Sequence, residues 1–156
     1  MNQAIYQQDV ENYFISWDEV HRATSSMATR LEGQGWQQII ALTEGGIGPA
    51  AQIARELDIP MIDTLSIRDA SCQKDLMMLH EHIDSSLKTL FVDDLVDTGK
   101  TARAAKAAFP EAHFVAIYAK PAGMPHADDF VVEIGADSWV HFPWDLLVDT
   151  DPSFDA

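Results

Sequence analysis

Helical spacing of apolar residues is clearest in three stretches of the chain. Ser16 and Glu19 form a capping-box pattern, which predicts a helix from Trp17 to about Leu31. Pro49 suits the first position of a second helix, whose apolar face recurs at Ala50, Ile53, Ala54 and Leu57. An alanine-rich stretch predicts a third helix over Thr101–Phe109.

Short apolar runs alternate with these helices. They predict buried strands at Ile39–Leu42, Met61–Ile67, Leu87–Val92, Phe114–Tyr118 and Phe130–Ile134. The stretch from residue 68 to 86 is polar and only weakly patterned. The alternation indicates an α/β fold with a mainly parallel central sheet flanked by helices. Ligands of such sheets bind at the carboxyl ends of the strands, so the loops that follow the strands are the candidate functional segments.

Composition and charge narrow the possible partners. The chain has 156 residues, 47% of them hydrophobic, which predicts a single domain over residues 1–156 with a substantial core. The formal net charge of -15 argues against a nucleic-acid-binding surface. An anionic ligand must therefore be held locally, by backbone N–H groups, a few cations or a metal ion.

Redox chemistry, targeting and metal spacing add exclusions. A single cysteine, Cys72, allows no internal disulfide and no cysteine-based zinc site, and it fits a reducing, cytoplasmic compartment. The N-terminus lacks the basic and apolar regions of a secretory signal, and no apolar run is long enough to predict a transmembrane helix. The six histidines lack metal-ligand spacing, so we interpret them as structural or exposed.

The loop after the first predicted strand is glycine-rich. Residues 46–51 match the G-x-G-x-x-G/A dinucleotide fingerprint, but the acidic residue that would bind the ribose is misplaced, because Asp63 falls in the middle of the second strand. Glycines that only permit a tight turn are a second interpretation. A glycine-rich anion-binding loop of another kind is the interpretation we favour.

The loop after the third predicted strand, residues 91–101, carries the most chemistry. Gly99, Lys100 and Thr101 imitate the end of a Walker A motif, but Asp94 stands where its leading glycine belongs, and the carboxylates would repel a triphosphate. The turn at residues 98–101 can instead wrap one phosphate monoester at the start of a helix. The acids just before it are placed to meet ribose hydroxyls, a divalent metal or a proton.

The form of this stretch resembles the signature of the type I phosphoribosyltransferases: apolar residues, an Asp-Asp pair and a D-T-G-x-T turn. Three further segments resemble the pyrophosphate, base-reading and base-stacking segments of bacterial xanthine-guanine phosphoribosyltransferases, at residues 40–49, 118–123 and 137–145. The resemblance extends from about Trp17 to Asp145. It implies the type I phosphoribosyltransferase fold, with a small hood and a mobile active-site loop at residues 68–86.

The resemblance implies transfer of a phosphoribosyl group from 5-phosphoribosyl 1-diphosphate (PRPP) to guanine, xanthine or hypoxanthine, in purine salvage. Asp93 and Asp94 would bind the ribose hydroxyls, and Asp94 would take part in a Mg²⁺ site. Asp97 would contact N7 of the base and assist proton movement, as the catalytic residue. The implied PRPP- and phosphate-binding set is Glu44, Gly45, Lys74, Asp93, Asp94, Leu95, Val96, Asp97, Thr98, Gly99, Lys100 and Thr101.

The resemblance also implies how the base is recognised. Lys120 would donate to O6 of the purine, which selects 6-oxopurines against adenine. Trp139 would stack on the base, and the Val140 backbone would meet the C2 substituent. Family members form homotetramers, and some associate peripherally with the inner membrane, so a homo-oligomer is expected and a membrane association is implied only by resemblance.

Three residues depart from the family pattern. Glu44 stands where an Arg or Lys is usual, in a loop for which the resemblance implies a non-proline cis peptide at Glu44–Gly45. Lys74 stands for an Arg that contacts phosphates, which keeps the charge but loses the bidentate fork. Lys100 replaces a glycine, and we expect its charge to offset part of the loss at Glu44.

Two alternatives of other classes stay open at this point. A non-catalytic PRPP or nucleotide sensor with the same fold would bind PRPP without forming product, and Glu44 is its best support. A P-loop kinase would require ATP and would not depend on Trp139. The order of preference among guanine, xanthine and hypoxanthine does not follow from the sequence.

Overall fold

The fold is seen in a computed structural model that describes residues 11–66, 81 and 83–145. The three predicted helices are present as α1 (Trp17–Leu31), α2 (Ile47–Leu57) and α3 (Lys100–Ala108). The predicted capping box begins α1, because the Glu19 N–H donates to Ser16 Oγ and the Ser16 N–H donates to Glu19. Helix α2 begins two residues before Pro49, so Pro49 is its third residue rather than its first. Its first-turn N–H groups have no intrahelical acceptor, so a proline fits there as well.

Among the residues that the structure describes, the central sheet has five strands, all paired in parallel. Strand β1 (Asn12–Phe14) lies elsewhere, and the sheet consists of β2 (Gln38–Leu42), β3 (Met61–Leu65), β4 (Thr89–Val96), β5 (His113–Ala119) and β6 (Asp129–Glu133). The spatial order is β3-β2-β4-β5-β6. This arrangement confirms the α/β fold with a mainly parallel sheet flanked by helices.

Each face of the sheet carries its own apolar core. On one face, residues such as Ile39, Val92 and Val115 pack with apolar residues of α1 and α2. On the other, residues such as Phe91 and Phe114 pack with Ala102 and Ala105 of α3. Every residue of β2 is buried, as expected for a strand covered on both faces.

A second sheet joins the two ends of the described chain. Strand β1 pairs in parallel with β7 (Trp139–His141), and the Trp139 N–H donates to the Glu11 carbonyl at 2.8 Å. Neither strand follows from the apolar pattern, because both are three residues long and β1 is exposed throughout.

The largest difference from the sequence prediction is the extent of β4. The predicted strand ends at Val92 and leaves Asp93 and Asp94 in a loop, whereas β4 continues through both to Val96. Pairing of β4 with β2 ends at Val92, opposite Ala41, but its pairing with β5 continues as far as Val96. The two acids therefore project from a strand that remains held on one side.

Strand β3 ends at Leu65, and Asp63 lies in its middle, opposite Ile40, as predicted. Most of the predicted mobile loop at residues 68–86 lies outside the described residues. Within the described ranges, no helix is long and apolar enough to cross a membrane.

Candidate active site

The adjacent carboxylates Asp93 and Asp94, the acid pair, lie where β4 runs past β2. The Asp94 N–H donates to Asp93 Oδ1 at 2.9 Å, and the Leu95 N–H donates to Asp94 Oδ1 at 2.7 Å. Burial raises the pKa of Asp93 well above its usual range, and the Asp94 charge adds to the rise. Burial also raises the pKa of Asp94. Of the described Lys and Arg residues, none forms an ion pair with either acid. The pair is therefore suited to a cation, a proton or hydroxyl donors.

The loop after β2 meets the acid pair through a glycine. A Cβ placed on Gly45 would lie 1.9 Å from Asp94 Oδ2, so the Asp94 carboxylate packs against the backbone of this loop. Gly46 is similarly enclosed, because a Cβ there would lie 2.3 Å from the Val92 carbonyl oxygen. A side chain at residue 45 or 46 would overlap β4, which explains why both residues are glycines. The loop after β2 is therefore packed directly against the end of β4.

The cis peptide predicted in this loop is displaced by one residue. The non-proline cis bond is Thr43–Glu44, not Glu44–Gly45. The sequence contains no signal that distinguishes neighbouring peptide bonds, and the glycines that follow serve the close approaches to Asp94 and Val92 instead. The side chain of Glu44 is exposed.

Residues 97–101, called the phosphate loop here because the sequence predicts that they bind a phosphate, run from the end of β4 into the first turn of α3. Gly99 has φ +76°, a left-handed conformation that favours glycine, and stands immediately before the helix. No side chain in the described part of the chain caps α3, so its first N–H groups are available to a ligand. A cavity of about 100 Å³ is lined by this loop together with Asp93, Leu95 and Val96. The helix begins at Lys100 and ends at Ala108, one residue earlier at each end than predicted.

The described residues also bring together two side chains that the resemblance assigned to the base. Lys120 Nζ lies 3.3 Å from Asp97 Oδ1, and the Lys120 side chain is only 12% exposed whereas that of Asp97 is 56% exposed. The Lys120 N–H donates to the Val96 carbonyl at 3.0 Å, which fixes the start of the loop after β5 beside the end of β4. A nearly buried ammonium group and an exposed carboxylate are thus paired at the strand ends.

The remaining base-binding candidates lie on β7. Trp139 is 63% exposed, and Val140 is partly buried against the core shared with α1 and α2. Burial raises the pKa of Asp94 most, hydrogen bonds to neighbouring groups lower it, and the Asp145 charge adds a smaller rise, so the segment after β7 lies within electrostatic range of the acid pair. Sequence reasoning missed this approach of Asp145, and the spacing along the chain contains no signal for it.

Metal ligation by protein groups alone is not indicated. Within residues 11–66, 81 and 83–145, no three His, Cys, Asp or Glu side chains cluster as a metal site. Two carboxylates with hard oxygen donors still match Mg²⁺, which is commonly held by one or two carboxylates plus substrate phosphates and water. Lys74 lies outside the described residues.

Comparison with known proteins bears directly on these observations. The family model for the phosphoribosyl transferase domain matches residues 16–151. A xanthine-guanine phosphoribosyltransferase of Chromohalobacter salexigens is 42% identical over 140 residues, covering 88% of this chain and 86% of the relative. One from Roseobacter denitrificans is 39% identical over 154 residues, covering 88% of each. A solved purine phosphoribosyltransferase of Pyrococcus horikoshii shares the fold with a TM-score of 0.73 and 22% identity, covering 90% of this chain and 98% of that one.

Proposed function

This chain belongs to the phosphoribosyl transferase family, and on that premise we propose that it is a purine-salvage enzyme that converts guanine, xanthine and hypoxanthine with PRPP into the 5′-nucleotide and diphosphate. One observation carries the proposal. An acid pair, an uncapped helix start and a Lys–Asp pair lie at the same edge of the sheet, at the ends of β4 and β5. These three features supply groups suited to ribose hydroxyls, a 5′-phosphate and a 6-oxopurine, respectively.

The acid pair binds the ribose and supports the leaving group. Asp93 and Asp94 accept hydrogen bonds from the ribose hydroxyls, which offsets the cost of burying two neighbouring charges. Asp94 would also hold a Mg²⁺ ion when one is bound, and that ion would supply positive charge to stabilise the diphosphate leaving group. The backbone of Glu44 and Gly45 lies beside the diphosphate, because Gly45 contacts Asp94.

The phosphate loop holds the 5′-phosphate. The N–H groups at the start of α3 and the hydroxyls of Thr98 and Thr101 donate to its oxygens, and the helix dipole favours its charge. Gly99 allows the turn that aims these groups at one point. With the ribose anchored at one end and the phosphate at the other, the anomeric carbon is presented to the base.

The Lys–Asp pair recognises the purine. The Lys120 ammonium donates to O6, and the Asp97 carboxylate contacts N7 and assists proton movement. Adenine presents an amino group at the position of O6, so the Lys120 N–H that would bond O6 faces another donor instead of an acceptor. Trp139 stacks on the base and the Val140 backbone meets its C2 substituent.

In this proposal the positive charge of Lys100 offsets part of the unfavourable effect of the Glu44 carboxylate on PRPP binding. It is the first residue of α3 and lines the cavity of the phosphate loop. Replacing it with glycine should raise the PRPP KM about 2- to 5-fold, as expected for one exposed charge near a helix terminus. Steady-state kinetics of Lys100→Gly with PRPP varied would contradict this role if the KM stayed unchanged.

The oligomeric state and location complete the proposal. A homo-oligomer, tetrameric by resemblance, is expected for the chain. Its single cysteine suits a reducing cytoplasm. The net charge of -15 disfavours attachment to an anionic lipid surface.

An absorbance assay with PRPP, Mg²⁺ and each of guanine, xanthine, hypoxanthine and adenine tests the function. Nucleotide should form from the three 6-oxopurines and not from adenine, and an Asp97→Asn control should be strongly impaired. PRPP binding without turnover for any base would instead identify a nucleotide sensor. If Lys120→Gln rejected adenine as completely as the parent enzyme does, the assigned role of the lysine would be contradicted.

A further inference from the structure

The segment that follows Lys120 packs tightly along the phosphate loop. The Lys120 N–H bonds the Val96 carbonyl at 3.0 Å, and a Cβ placed on Gly123 would lie 2.3 Å from the Val96 oxygen and 2.8 Å from the Asp97 oxygen. The same segment then turns through a short 3-10 helix at Met124–His126. The loops assigned to the base and to the 5′-phosphate are thus in direct contact.

His126, at the end of the 3-10 helix, contacts both Gly99 and Arg103. Its ring occupies the space that a side chain at residue 99 would need, since a Cβ on Gly99 would lie 2.2 Å from His126 Cδ2. Arg103 Nη1 donates to His126 Nε2 at 2.8 Å and also to the Thr98 carbonyl at 3.2 Å. Arg103 lies on the first turn of α3, directly after the phosphate loop.

The chemistry of this contact defines the form of the imidazole. An arginine remains protonated and can only donate, so His126 Nε2 must be the unprotonated nitrogen. The neutral ring therefore carries its hydrogen on Nδ1. Two acceptors, His126 Nε2 and the Thr98 carbonyl, hold the Arg103 guanidinium across the turn that contains Gly99.

We propose that His126 and Arg103 are positioning residues for the 5′-phosphate of PRPP, a clamp formed by His126 on Gly99 and by Arg103 on the Thr98 carbonyl. Neither side chain is assigned a contact with substrate. The clamp keeps Thr98 and Gly99 in the conformation whose N–H groups and hydroxyls face the phosphate, so that PRPP does not have to order the loop when it binds. This inference rests on the proposed function, because it names the substrate group that the loop receives.

Three variants separate the clamp from simple packing. His126→Leu removes the acceptor and keeps an apolar side chain beside Gly99. His126→Gln restores an acceptor for Arg103 without an ionisable ring. His21→Leu is the matched control, because His21 is an exposed histidine on α1, which packs on the opposite face of the sheet from α3.

The readout is the split between kinetic constants. His126→Leu should raise the PRPP KM about 5- to 10-fold, the loss expected for one charge-assisted hydrogen bond at a partly exposed site. Its kcat and its KM for guanine should stay within about twofold of the parent, because the loop affects binding of one substrate group. His126→Gln should return the PRPP KM to within about twofold, and His21→Leu should change nothing.

Titration calorimetry with PRPP and Mg²⁺ on the same variants distinguishes failure of this inference from failure of the proposed function. If the parent protein binds PRPP but does not turn over, the clamp still predicts a weaker Kd for His126→Leu and recovery in His126→Gln. An unchanged PRPP KM and Kd in His126→Leu would overturn the clamp while leaving the enzyme intact. Equal losses for both His126 variants would show that packing alone is disturbed, and a parent that binds no PRPP would overturn both proposals.

Discussion

At the end of the site proposed for the diphosphate, recognition would depend on the backbone, whereas at the end proposed for the base it would depend on side chains. Asp94 rests on Gly45, and both acids come from a strand that β5 continues to hold. At the other end, Trp139 projects with 63% of its surface exposed from a three-residue strand. The first region tolerates little change in shape. The second can be altered one side chain at a time, which suits the part of a site that chooses among related bases.

The largest effect is expected for Gly45→Ala, because the added methyl group overlaps the Asp94 carboxylate at 1.9 Å. Displacement of Asp94 should lower kcat/KM on the order of 100-fold or more, a loss typical of a misplaced reacting group. Gly48→Ala is the matched control, since a Cβ there meets nothing within 4 Å and lies in a helix that favours alanine. Steady-state kinetics and thermal unfolding of both variants give the answer. Comparable activity in the two would mean that the diphosphate end is not rigid.

The next effect concerns Lys120→Gln. Loss of the ammonium group should lower kcat/KM for guanine about 50-fold, the cost of removing a hydrogen bond from a charged donor, with the PRPP KM little changed. The ratio of kcat/KM for guanine to kcat/KM for adenine should fall in the same variant. Competition assays with both bases measure this, with Lys88→Gln as a control because Lys88 lies over the Trp36 ring rather than at the strand ends. A rise confined to the PRPP KM would place Lys120 at the wrong end of the site.

A smaller effect is expected for Trp139→Ala. Loss of stacking should raise the KM for the base about 10-fold, within the range for one base on one aromatic ring. The melting temperature should hardly move, because Trp139 is mostly exposed. Trp17→Ala is a close control, since Trp17 is also 63% exposed but packs edge-on against Trp144. Equal changes in base KM for the two variants would argue against a stacking role.

The smallest effect is one of stability, at the far end of the segment that carries Lys120 and His126. Asp128 accepts from Lys106 Nζ at 2.6 Å and from the Phe114 N–H at 2.7 Å. Burial by itself would raise the pKa of Asp128, but these two donors outweigh it and lower the pKa below its usual value. Asp128→Asn should lower the melting temperature by about 2–4 °C at pH 7, the shift expected from roughly 1 kcal/mol.

The sign of its pH dependence follows from that lowered pKa. A carboxyl group with a lower pKa in the folded state stabilises the fold above its unfolded pKa, near 4, and loses that contribution as the pH falls through the folded value. The difference between the parent and Asp128→Asn should therefore be largest at neutral pH and shrink below about pH 4. Thermal unfolding across pH 3 to 7 checks it, and a constant difference would exclude the charge as its cause.

Apolar periodicity predicted much of the scaffold because burial on both faces leaves a plain pattern in the sequence. The strand at 39–42 and the three helices were confirmed within a few residues. The same criterion failed at β4, since Asp93 and Asp94 are polar where the strand continues, and the strand is maintained there by pairing with β5 rather than by apolar side chains. It also missed β1 and β7, whose pairing joins segments from opposite ends of the chain.

The candidate site residues were predicted mainly from sequence motifs and their order along the chain, and less from physical reasoning about single residues. The D-T-G turn predicted a helix start, which α3 confirms, because glycine and the residues after it determine local backbone geometry. The cis bond was predicted one residue too late. The contacts of Gly45, Gly123 and His126 with other segments could not be predicted, since close approach between loops is decided by the packing of strands that are distant in the chain. The residue roles at the site stay predictions.

The pairing of β1 with β7 has a consequence for the order in which the protein is completed during translation. Strand β1 leaves the ribosome early, but its partner at Trp139–His141 emerges only after the whole central sheet. The acid pair and the phosphate loop are therefore synthesised while β1 is still unpaired, because β7 has not yet been made. The platform under Trp139 would therefore be the last part of the proposed site to form, because β7 is synthesised after every described strand of the central sheet.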